Sequence, residues 1–99
     1  GQTAPIMRPC HGCAVDALVT LGCYGALFLL DGNAFRPLDR LLLEGFYDTD
    51  QERMRPITAE VVRCDGLAVA VAFDQELSES MELRPPLRVV RLLPVCPMA

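Results

Sequence analysis

The amino-acid sequence predicts an all-β fold, a small barrel or sandwich. Two observations carry this expectation. Five or six short segments rich in Val, Leu, Ala and Phe recur along the 99 residues. Turn signals stand between them, the strongest being Asp31-Gly32-Asn33 and Asp65-Gly66, residue types that supply or tolerate tight backbone.

The elements follow in chain order. Residues Gly1–Pro9 hold two prolines and no periodicity, and the loose N-terminal arm is expected to run through Cys13. Ala14–Thr20 places Val15, Ala17 and Val19 on one face, a strand pattern. Gly22 and Gly25 bracket a turn, assigned to glycine's access to backbone conformations closed to other residues. Ala26–Leu30 reads as a short strand buried on both faces. Arg40–Phe46 carries Leu41, Leu42, Leu43 and Phe46; pattern alone leaves helix and strand open, and the neighbouring strands favour strand. Tyr47–Arg55 is polar and reads as a loop. Ile57–Cys64 and Leu67–Phe73 form a hairpin about Asp65-Gly66, a turn expected to need positive φ at both central positions. Asp74–Leu83 is the one place where one or two helical turns are expected, ended by Pro85-Pro86. Leu87–Leu93 is the last strand.

Composition bounds the function classes. Ninety-nine residues make a single domain, and 52% hydrophobic residues exclude a disordered chain. The longest apolar run, Leu67–Phe73, is too short to span a bilayer. No leader pattern opens the chain. A net charge of −4 argues against sequence-independent binding to nucleic acid or anionic lipid. Five cysteines, an odd count, do not suggest a closed disulfide framework, and a reducing, cytoplasmic setting is the simplest fit.

Three stretches, Gly25-Ala26-Leu27-Phe28, Glu60-Val61-Val62-Arg63 and Ala70-Val71-Ala72-Phe73, are individually common. Their order and spacing across Ala14–Asp74 resemble the PilZ domain, a bacterial β-barrel. The resemblance implies a six-stranded PilZ-type barrel. Ligand-binding members of that family bind cyclic di-GMP through an Arg-x-x-x-Arg pair ahead of the barrel and Asp/Asn-x-Ser-x-x-Gly at the turn. Guanidinium forks suit phosphates and guanine edges. Here the turn reads Thr20-x-Gly22-x-x-Gly25: Thr20 stands at the acidic or amide position, Gly22 at the serine position, and Gly25 alone is kept. Upstream stands a single arginine, Arg8, with Gly12 four residues on. Each lost charge-assisted bond is worth roughly 1.5–3 kcal/mol, against about 8 kcal/mol for micromolar affinity.

The resemblance therefore implies the atypical branch of the family: a non-enzymatic adaptor or regulator in bacterial motility, type IV pilus function or virulence. Its expected partners are proteins, either the pilus or motility machinery or a separate cyclic di-GMP receptor. Cyclic di-GMP itself is not expected to bind. The alternative is a cyclic di-GMP receptor domain of a longer protein, with the missing arginines ahead of Gly1.

Other constellations point elsewhere. Cys10-His11-Gly12-Cys13 supplies two of the four ligands of a structural zinc site, with His11, Cys23, Cys64 or Cys96 left to complete it. It is also a redox spacing, although the βαβ setting of thioredoxin-type sites is missing. A loose arm with incidental thiols is the third reading and the favoured one, with no metal or cofactor. The acids Asp48, Asp50 and Glu52 fail as a calcium loop, because Arg53 and Ala59 replace its Gly and closing Glu. They are expected to be solvated, as are Glu76, Glu79 and Glu82. Met81, Leu83 and Leu87 either cap the barrel or dock a partner; capping is favoured.

Overall fold

The computed structural model describes residues 13–92. Its strands are β1 (Cys13–Ala14), β2 (Ala17–Leu21), β3 (Gly25–Leu29), β4 (Arg40–Asp48), β5 (Arg53–Met54), β6 (Ile57–Asp65), β7 (Ala68–Phe73) and β8 (Met81–Leu92). All belong to one antiparallel sheet in the order β1-β8-β4-β6-β7-β3-β2, with β5 paired to β4. Six of them have five residues or more. No helix long and apolar enough to cross a membrane occurs among the described residues.

The sheet curls into a small barrel because one bent segment serves both of its ends. Cys13 lies opposite Val89 of β8, and Ala17 lies opposite Leu29 of β3. Between them the Val15 amide donates to the Leu87 carbonyl (2.9 Å) and the Asp16 amide to that of Leu29 (2.8 Å). Residues 13–21 thus bridge the two edges. Cys13 was expected in the loose arm; its backbone is instead paired to β8.

Strand alternation fills the interior. Ala26 and Phe28, Ala59 and Val61, Val69, Val71 and Phe73, and Leu87 and Val89 are buried, as are Leu41, Leu43 and Phe46 of β4. Burying a large apolar side chain contributes about 1.5–3 kcal/mol, and ordering the chain consumes most of that sum. Met81 and Leu83 pack against this core, so the segment caps the barrel as expected.

β4 changes phase midway. Leu41 and Leu43 face inward, then Phe46 and Asp48 do. Gly45 absorbs the shift with φ +136°. A Cβ there would stand 2.9 Å from the Pro86 carbonyl oxygen, so only glycine fits. On the facing strand the register jumps from Arg88 opposite Glu44 to Leu83 opposite Phe46. Pro85-Pro86, joined by a cis bond, sit inside that jump, where no ladder amide is required. The prolines therefore interrupt β8 without ending it.

Several expectations are corrected. The short helix expected over Asp74–Leu83 is absent; Asp74–Ser80 is a loop and β8 begins at Met81. Its backbone amides are drawn elsewhere: Asp74 donates to Thr58 of β6, and Leu77 to Cys23 in the β2–β3 turn. The β6–β7 turn is Gly66-Leu67, with Asp65 opposite Ala68. Gly66 has φ +67° and Leu67 is not among the positive-φ residues, a pattern that fits a turn with glycine at its first central position. β3 buries one face fully, with Gly25, Leu27 and Leu29 of the other half-buried.

Candidate functional site

The Thr20–Gly25 turn joins β2 to β3. The Gly22 amide donates to the Gly25 carbonyl across it (2.9 Å). Thr20 and Gly22 are exposed, and Thr20 lies opposite Leu27. Neither Gly22 nor Gly25 has positive φ, so conformational freedom is not what selects them. Gly25 is selected by proximity, since a Cβ on it would stand 2.3 Å from the Val71 carbonyl oxygen of β7. The structure thus places Thr20 near the end of β2, Gly22 in the turn and Gly25 at the start of β3. Arg8, the fourth residue of the degenerate nucleotide motif, lies outside the described residues, as do Cys10, His11, Gly12 and Cys96.

This turn is apolar and uncharged. Residues 17–30 contain no ionisable side chain except the thiol of Cys23 and the phenol of Tyr24. Val19, Leu21 and Tyr24 are 50%, 40% and 67% exposed. An anionic dinucleotide needs cationic forks, and this segment offers none.

Polar chemistry gathers instead around the Asp74–Ser80 loop. That loop grips three parts of the barrel. The Leu77 amide donates to the Cys23 carbonyl in the β2–β3 turn (2.7 Å), the Asp74 amide to Thr58 of β6 (3.0 Å), and the Ser80 carbonyl accepts from Thr49 (2.8 Å). Between the loop and residues 55–58 lies an open cleft of about 340 Å³, lined by Arg55, Ile57, Thr58, Asp74, Leu77, Ser78 and Met81 among others.

One carboxylate, Asp74, lines the cleft, and a second, Asp48, holds its lining residue Arg55. Asp48, at the end of β4, is buried. It accepts from Arg55 Nη1 (3.0 Å), Ser80 Oγ (3.0 Å) and the amides of Asp50 and Gln51 (2.9 and 3.3 Å). Its bond to Arg55 holds the carboxyl below the usual carboxylate range, with Ser80 and the two amides adding to the effect against the opposing pull of burial. The expectation that Asp48 is solvated is therefore corrected. An inward position after the Gly45 phase shift and a guanidinium seven residues on are the signals that locate it. Asp74 accepts from Arg40, in a bidentate pair, and from Thr58 Oγ1 (2.6 Å). Those two groups, Arg40 first, hold its carboxyl below the usual carboxylate range, and Asp74 in turn pushes the Arg40 guanidinium above its ordinary value.

Among the described residues the cysteines do not assemble a metal site. Cys23 and Cys64 are free thiols, and burial, aided by the Asp39 carboxylate, pushes Cys64 up. Cys13 is disulfide-bonded, so the incidental-thiol reading does not hold for it. No group of three or more His, Cys, Asp or Glu side chains is placed to hold a metal among the described residues. Comparison with family models, with curated proteins and with solved structures gives no match to this chain.

Proposed function

We propose that this chain is a non-enzymatic adaptor or regulator that works through protein contacts, of the kind the atypical PilZ branch implies, in bacterial motility, pilus function or virulence. The observation that carries the proposal is the Thr20–Gly25 turn. At the position where family members hold a nucleotide, this chain presents exposed Val19, Leu21 and Tyr24 and no cation. Apolar exposure beside an uncharged turn suits a protein surface better than it suits a phosphate. Gly25 is explained by the close approach of β7, with no ligand required.

Isothermal calorimetry with cyclic di-GMP tests the reading. The expected result is no saturable heat at ligand concentrations up to about 100 μM, far above the micromolar affinity that two intact forks would support. Micromolar binding by these 99 residues would overturn the adaptor reading in favour of the receptor. A cytoplasmic setting belongs to the same proposal. It is tested by alkylating thiols in intact cells: a Cys13 that reacts as a free thiol supports it, and a Cys13 protected in its disulfide overturns it in favour of an oxidising compartment.

A further inference from the structure

The cleft between the Asp74–Ser80 loop and residues 55–58 takes no part in the protein contacts proposed above. Its volume of about 340 Å³ stands at the small end of ligand sites, which run roughly 300–1,000 Å³. Its lining combines three chemistries. Ile57, Leu77 and Met81 supply apolar surface, and all three are half-buried and backed by the core.

Arg55 supplies a cation. Its amide donates to the Phe46 carbonyl (2.9 Å) and its Nη1 to Asp48 (3.0 Å). The guanidinium is thus held from behind by a buried carboxylate, while its Nε and Nη2 have no partner among the described residues. A positioned fork with spare N–H groups suits a second carboxylate. Glu76 supplies an anion. It is exposed, with no ion-pair or hydrogen-bond partner among the described residues. Asp74, the other acid of the lining, is spent on Arg40 and Thr58 Oγ1.

Arg55 and Glu76 therefore share one cleft without pairing to each other. A simple ion satisfies one of them and meets the other as a like charge. A small molecule carrying both signs satisfies both. We propose that the cleft binds a free α-amino acid with an aliphatic side chain. Its carboxylate takes the open edge of Arg55, its ammonium takes Glu76, and its side chain lies on Ile57, Leu77 and Met81. The inference goes beyond the protein-contact reading and stands independently of it. Two charge-assisted contacts in an open cleft correspond to a dissociation constant of roughly 1 mM.

Heteronuclear NMR titration of the whole chain with L-leucine tests this. The expected result is saturable shifts confined to the amides that line the cleft. Leucinamide lacks the carboxylate and N-acetyl-leucine lacks the ammonium, and each should bind at least about fivefold more weakly, as the loss of one charge-assisted contact requires. Glycine keeps both charges and loses the apolar contact, and it should weaken by at least about fivefold as well. Glu76→Gln removes an exposed charge, so it should melt like the parent, weaken leucine and leave N-acetyl-leucine unchanged. Arg55→Lys keeps a charge opposite Asp48 but loses the fork, and it should weaken leucine. If Arg55→Lys folds poorly, the leucinamide comparison still decides the role of the carboxylate. No saturable shifts up to about 20 mM leucine, shifts away from the cleft, or parental affinity in Glu76→Gln would overturn the proposal. So would leucinamide binding as tightly as leucine. N-acetyl-leucine binding as tightly as leucine would overturn it too, and would assign the cleft to the free C-terminus of a peptide.

Discussion

The β2–β3 turn and the β4–β5 turn are both held by the Asp74–Ser80 loop, yet they are built on opposite principles. The first is uncharged, and its geometry is set by backbone proximity: Gly25 lets β3 approach β7 with no room for a Cβ. The second is organised by one buried carboxylate, Asp48, that gathers Arg55, Ser80 and two backbone amides. A turn specified by steric closeness leaves its surface free to be apolar, as Val19, Leu21 and Tyr24 are. A turn specified by a buried charge must spend its polar groups inward, and its surroundings become dependent on ionisation.

Substitutions can break or sharpen this contrast. The largest effect is expected from Gly25→Ala. A Cβ at 2.3 Å from a backbone oxygen cannot be relieved by a side-chain rotation, and the strand pair must part. The expected cost is about 3 kcal/mol or more in urea denaturation, or failure to fold. Asp48→Asn comes next. It keeps an acceptor for Ser80 but loses the charge opposite Arg55, and the melting temperature should fall by roughly 5–10 °C.

Acid should expose the same dependence. Asp48, Asp74 and Asp39 all have folded-state values lowered from the ordinary carboxylate range. For Asp39 burial pushes upward, and the Arg91 and Arg36 interactions outweigh it. A lowered folded value means the unfolded chain binds protons first. The stabilisation is present above about pH 4 and is lost as pH falls through the folded values. Denaturation midpoints measured from pH 7 down to about pH 2.5 should decline at the acid end, and Asp48→Asn should flatten that decline. Asp74→Asn is expected to cost a few degrees at most, because the Arg40 pair is exposed. Thr20→Ala should leave melting unchanged within about 0.5 kcal/mol. A large loss there would reveal a structural role in a turn that geometry assigns to Gly25.

Apolar segments set between turn signals are enough to expect the six long strands, with β4 settled by its neighbours because its own pattern leaves helix and strand open. What it hides is phase and register. Nothing local distinguishes Gly45 from any other glycine until Pro86 is seen across the strand gap. Pro85-Pro86 reads as a stop for the same reason, since only the jump opposite Gly45 makes prolines tolerable within β8. The glutamate spacing from Glu76 to Glu82 imitates a helix, but the Asp74 and Leu77 amides find partners far along the chain, on Thr58 and Cys23. At the candidate site, Thr20 lies in β2 and Gly25 opens β3, with Gly22 in the turn between them, and the reason for Gly25 lies on β7, out of reach of local sequence. Asp48 was missed because its inward position depends on the Gly45 bulge.

The bent segment from Cys13 to Leu21 also has a temporal consequence. Its first residues pair with β8, the last described strand, while its later residues pair with β3. During synthesis the hairpins β2–β3 and β6–β7 can assemble early, but the seam waits for the far end of the chain. Pairings of such sequence separation are the slow ones. Until β8 leaves the ribosome, the nascent sheet carries open edges and an apolar interior with no final wall. Chaperone demand from this sheet should therefore persist until β8 has emerged.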